Sequence, residues 1–129
     1  MNPSLTALRT VLGIIFITHG AARIYHASVP DFGTFLESKN IPLGMLVAWI
    51  ITLGEMVGGT LLILNKYVRY CVLFHAAVIL GGIVWVHLPN GWFTVGHGSG
   101  GVEYSLLILA VLAFLYQHDR EVKPSLFQR

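Results

Sequence analysis

Leu43-Gly-Met-Leu-Val-Ala-Trp-Ile-Ile-Thr-Leu-Gly-Glu55-Met-Val-Gly-Gly-Thr-Leu-Leu-Ile-Leu64 carries a single ionisable side chain, Glu55, near its middle. A run of this length rises far enough, at about 1.5 Å per residue, to cross a hydrocarbon core of about 30 Å. Backbone in lipid must satisfy its own hydrogen bonds, so the run reads as a membrane helix. A carboxylate at the bilayer centre costs about 2.5–3.5 kcal/mol on insertion scales, so Glu55 has to face protein or water and needs a partner.

The rest of the chain fits this reading. It has 129 residues, of which 55% are hydrophobic and 11% charged, where a soluble domain carries roughly 25% charged residues. A net charge of +2 without a basic cluster excludes nucleic acid as a partner. The one cysteine, Cys71, excludes an internal disulfide and CxxC redox chemistry, so any electron transfer needs a partner or a bound cofactor. The N-terminal apolar run, Val11 to Thr18, is followed by His19, Arg23 and His26 where a cleavage site would lie, which predicts an uncleaved first helix.

Hydropathy and punctuation predict an all-α, four-transmembrane-helix bundle forming one membrane domain over residues 1–129. The spans are placed at about 5–26, 43–64, 67–88 and 102–118, with a tail at 119–129. Pro42 falls at the first turn of the second span, and Pro89-Asn90-Gly91 closes the third. The short Asn65-Lys66 connection predicts an antiparallel hairpin, and Asp31 to Lys39 a short interfacial helix. With four spans, one side carries Arg9, Lys66, Arg69, Arg120, Lys123 and Arg129, and the other carries Arg23 and Lys39. The positive-inside rule then places both termini in the cytoplasm, in a bacterial inner membrane.

Buried polar candidates are Glu55, His75, Arg9 and His19. Glu55 and His75 lie about ten residues either side of the Asn65-Lys66 turn, hence at one depth, about 15 Å from it. They can bond each other as a structural pair, hold a proton or ligand, or remain apart. Arg9 either snorkels to the headgroups or reaches toward Glu55. A second, outer cluster comprises Arg23, His87, His97, Glu103 and Tyr104, with an Arg23–Glu103 ion pair expected. The histidines lack HxxH spacing, so no metal or haem site is expected. Gly96 to Gly101 matches GxGxxG literally, but it follows a membrane helix rather than a strand, and its glycines read as a sharp loop. Gly54, Gly58 and the adjoining Gly59 predict close helix packing beside Glu55.

Three local patterns occur in order: His19-Gly20-Ala-Ala-Arg23, Glu55-Met-Val-Gly-Gly59 and Gly100-Gly101-Val-Glu103-Tyr104. Together they resemble the HG-x-x-K, E-x-x-GG and GG-x-EY features of the DoxX family of small four-helix membrane proteins, with Arg23 in place of the usual lysine. The resemblance covers about residues 5–116. It implies a component of a membrane oxidoreductase system; relatives include a thiosulfate:quinone oxidoreductase subunit and a membrane partner of superoxide dismutase. The leading expectation is therefore a non-autonomous subunit of a quinone-linked redox system, with quinone the one cofactor candidate. The alternatives are an assembly scaffold without catalysis and a small proton or anion transporter. Expected partners are the bilayer, another membrane or redox protein, and a second copy of the chain.

Overall fold

The chain punctuates its helices with left-handed residues. In the computed structural model, which describes residues 2–123, helix α1 spans Pro3–Tyr25 and α2 spans Val29–Ser38. Helix α3 spans Gly44–Ile63. Asn2 caps α1, its side chain accepting the Ser4 N–H at 3.0 Å, with Pro3 in the first turn. All three helices end alike. After α1, Ser28 N–H donates to Arg23 O and Ala27 N–H to Ile24 O. After α2, Ile41 N–H donates to Leu36 O and Asn40 N–H to Glu37 O. After α3, Lys66 N–H donates to Leu61 O and Asn65 N–H to Leu62 O. Each is a Schellman closure with a positive φ at its pivot: Ala27 at 52°, Asn40 at 62° and Asn65 at 57°.

The described residues up to Lys66 and those from Tyr67 onward form two compact units. In the first, α1 and α3 run antiparallel along a glycine seam. A Cβ on Gly13 would lie 2.5 Å from Gly59 O, and one on Gly20 would lie 2.6 Å from Thr52 O. Helix α2 packs on the start of α3, where Gly33 meets Gly44 backbone to backbone. Val29 and Leu36 pack with Ala48, flanked by Phe32, Phe35 and Ile51. The buried face of α3 is Gly44, Ala48, Thr52, Glu55, Gly58, Gly59 and Leu62, mostly small or polar. Its exposed face carries Met45, Leu46, Trp49, Ile50, Leu53 and Val57. Small and polar inside with large and apolar outside is the arrangement that lipid as solvent favours.

In the second unit, α4 spans Val68–Gly82 and α5 spans Glu103–Val122. The third span was expected to run as one regular helix to Leu88. Instead it widens into a π turn at Ile83–His87 and tightens into a 3₁₀ turn at Leu88–Asn90. Gly81-Gly82 holds the helix weakly at that point, and Pro89 supplies no N–H to continue it. The glycine-rich loop then doubles back. Val102 N–H bonds Gly91 O, Glu103 N–H bonds Trp92 O, and Gly101 N–H bonds Phe93 O. Gly96 and Gly100 have φ of 88° and 68°, as their reading as a sharp loop requires.

Every regular element among the described residues is helical. Among the described residues three segments are long and apolar enough to cross a membrane: Pro3–Tyr25, Gly44–Ile63 and Val68–Asn90. Helix α5 is not one of them; it carries Glu103 at one end and Asp119, Arg120 and Glu121 at the other. It runs a turn further than the expected 102–118, into the expected tail, of which residues 124–129 lie outside the described residues.

Candidate functional site

Glu55 is paired with Arg23. The Arg23 guanidinium donates from Nη1 to Glu55 Oε2, joining the last turn of α1 to the interior of α3. Side-chain direction accounts for the pairing. Helical side chains tilt toward their own N-terminus. In antiparallel helices Arg23 therefore leans back along α1 into the seam, and Glu55 leans toward the Tyr25 end, so the two converge. The register completes it. Gly13 meets Gly59 and Ile63, while Gly20 meets Thr52 and Met56, which brings Arg23 level with the turn preceding Glu55. Phe32 of α2 lies over the guanidinium, its ring centroid 4.8 Å from Cζ.

The pair is enclosed but not saturated. The Glu55 side chain is 5% exposed and that of Arg23 20%. A guanidinium has five N–H donors, and Glu55 takes one of them. Thr52, three residues before Glu55 on the same buried face, is fully buried, and its Oγ1 has no hydrogen-bond partner among the described residues. The site thus combines an anion, a fixed cation and a buried hydroxyl within apolar helices. A ligand carbonyl or anionic oxygen can accept from Arg23, and Glu55 can exchange a proton with it.

The other sequence-predicted residues each have a setting of their own. Arg9 is buried at 4% exposure. It does not reach Glu55, because the seam register sets it level with the end of α3, more than about 12 Å along the axis. The end of α3 presents carbonyls that suit a cation. His19 is exposed on α1. His75 is fully buried in α4, its Nδ1–H donating to Cys71 O at 2.7 Å. Glu103, expected to pair with Arg23, accepts the Thr94 N–H at 2.9 Å and closes the glycine loop. His87 Nδ1–H ties the same loop through Gly100 O at 2.7 Å. A carbonyl can only accept, so both of these histidines carry their proton on Nδ1. His97 is exposed and packs edge-on against Phe93, and Tyr104 is exposed at the start of α5. Gly59 makes the close seam contact with Gly13, and Gly58 is also buried. Gly54 is only half-buried. Among the described residues no group of three metal-ligating side chains occurs.

The model of the DoxX family matches residues 4–88, which contain α1 to α4 and both members of the Arg23–Glu55 pair. The chain belongs to the DoxX family. It is also 27% identical over 104 residues to the Bacillus subtilis (strain 168) protein named "Putative oxidoreductase CatD", covering 81% of this chain and 72% of that one. No solved structure matches it.

In this DoxX protein a second ion pair escaped sequence reading. Arg69, in the first turn of α4, donates from Nε to Asp119 Oδ2 at 3.1 Å and from Nη2 to the Lys123 carbonyl at 2.6 Å. Lys123 Nζ lies 3.5 Å from Asp119 Oδ1. A signal was present: Asp119 is the one carboxylate of the last α5 turns that continues the buried stripe of Ile108, Leu112 and Leu115. Gly13 and Gly20 were equally legible, since they continue the Leu5, Arg9, Leu12 and Phe16 face of α1. Phe32 and Thr52 had no comparable signal, because an aromatic or a threonine in an apolar helix is ordinarily packing alone.

Proposed function

We propose that the chain is the membrane subunit of a quinone-linked redox system, with the Arg23–Glu55 pair as the polar group that would hold the quinone ring. The observation that carries this reading is a buried carboxylate paired with a half-buried guanidinium that has donors to spare, set between apolar helices. Quinone reduction requires two electrons and two protons. The electrons come from a partner, since this chain has a single cysteine. Arg23 holds a ring oxygen by a charge-assisted hydrogen bond, and Glu55, ionised in the pair, takes a proton from water and passes it to that oxygen, while the other ring oxygen takes the second proton from water. Membership of the DoxX family and the name of the Bacillus relative support the redox setting.

In this reading α5 is the fourth span, both termini are cytoplasmic, and the protein resides in a bacterial inner membrane with another redox protein beside it. In a Cys71→Ser background, a cysteine at Ser99 or Ser28 is labelled by an impermeant thiol reagent in intact cells, and one at Ser4 is not. The reverse pattern overturns the orientation.

A scaffold role is the second reading, favoured by the same ion pair, because a carboxylate and a guanidinium that neutralise each other also lock α1 to α3. Glu55→Gln separates the two. Under the quinone reading the variant folds, and a quinone identified by mass and absorbance in the mild-detergent extract is lost or is no longer reduced. Wild-type protein that purifies without quinone, together with a Glu55→Gln variant that fully replaces it in cells, decides for the scaffold.

A further inference from the structure

Between α4 and α5 lies a groove of about 690 Å³ whose chemistry changes along its length. Its floor is apolar, formed by Val72, Leu73 and Ala76 of α4 against Leu109, Leu112 and Ala113 of α5. The two alanines leave the space that larger residues would fill. Its mouth is polar, with Tyr116, Gln117, Arg120 and Glu121. From Leu109 to Glu121 the groove runs about 18 Å along α5. The mouth lies at headgroup level by two signs. Tyr70 and Tyr116 belong to the same helix ends, as in an aromatic belt. The charged clasp of Arg69, Asp119 and Lys123 sits there too.

We infer that this groove binds one phospholipid with a primary-amine headgroup, of the phosphatidylethanolamine type. An acyl chain lies along the apolar floor, the phosphate meets Arg120 and Gln117, and the ammonium meets Glu121. The adjacent cation and anion at the mouth match a zwitterion. A net-anionic headgroup leaves Glu121 opposed to like charge, and a quaternary amine has no N–H to give it. Both mouth charges are exposed, so they have capacity for a ligand. The inference needs only the membrane setting of this unit and is independent of the quinone reading.

The full chain in mild detergent is titrated with phosphatidylethanolamine, phosphatidylglycerol and phosphatidylcholine and followed by native mass spectrometry. One phosphatidylethanolamine binds per chain, about tenfold more tightly than phosphatidylglycerol, equivalent to about 1.4 kcal/mol. Glu121→Gln, a surface change that leaves folding intact, abolishes that preference, and Arg120→Gln weakens both lipids. Ala113→Phe fills the floor and lowers all lipid binding without lowering the melting temperature. Equal binding of the three lipids, or a preference unchanged in Glu121→Gln, overturns the assignment. So does a lipid-free dimer that Ala113→Phe dissociates, which gives the groove to a second copy.

Discussion

The two units each set an arginine against a buried carboxylate, and they do so at different places in their helices. Arg23–Glu55 engages the twelfth residue of the twenty in α3, and the seam around it is closed by glycine backbone. Arg69–Asp119 joins the first turn of α4 to the last turns of α5, where Arg69 also holds the Lys123 carbonyl and Lys123 supports Asp119. Beside it the helices leave an open groove rather than a seam. At a helix C-terminus, such as the end of α5, a cation finds unsatisfied carbonyls whatever else happens. In a helix interior every backbone group is already taken, so a charge there depends wholly on its partner. The same pair is thus a clasp in one unit and a committed, chemically useful couple in the other.

Breaking each pair exposes the contrast. Arg23→Met strands Glu55 in the apolar seam and destabilises the protein by about 3–5 kcal/mol, while Arg23→Met/Glu55→Met recovers most of that loss. Thermal unfolding in detergent measures the cycle, and additive losses would show that the pair is not coupled. The seam responds next. Gly59→Ala sets a Cβ 2.6 Å from Gly13 O, a backbone atom that cannot step aside, and costs about 1–3 kcal/mol. Ala113→Leu in the groove of the other unit stays within about 0.5 kcal/mol, because space is already there. Equal costs for these two changes would erase the distinction between seam and groove.

Asp119→Asn is the matching test of the terminal pair. Arg69 keeps the Lys123 carbonyl and a neutral acceptor, so the loss is about 1–2 kcal/mol, well below that of Arg23→Met. An equal or larger loss would mean that the terminal clasp, rather than the interior pair, holds the fold. The smallest effect lies at the caps. Ala27 occupies a left-handed pivot at φ 52° that glycine adopts without a Cβ penalty, so Ala27→Gly raises stability by about 0.5–1 kcal/mol. Asn65→Gly gains less, since asparagine already tolerates that conformation. A loss at Ala27 would show that its methyl group packs.

The apolar runs alone determined the helices, because a backbone in lipid has no other way to bond itself. The Asn65 turn, the short helix expected at Asp31–Lys39 and found at Val29–Ser38, the folded glycine loop and the need of Glu55 for a partner were legible for equally local reasons. The partner itself was not. If the first two spans ended level, Arg23 and Glu55 would stand several residues apart in height, and Glu103 would be the nearer carboxylate. In the tertiary structure α3 begins beyond the end of α1, against α2, and the contacts of Gly13 with Gly59 and Gly33 with Gly44 set the vertical register. That register carries Glu55 into reach of an arginine leaning back from the opposite helix of the pair. A sequence records which residues can approach closely. Only the packed backbone fixes how far one helix slides along another, and a slide of one turn decides which charge finds which.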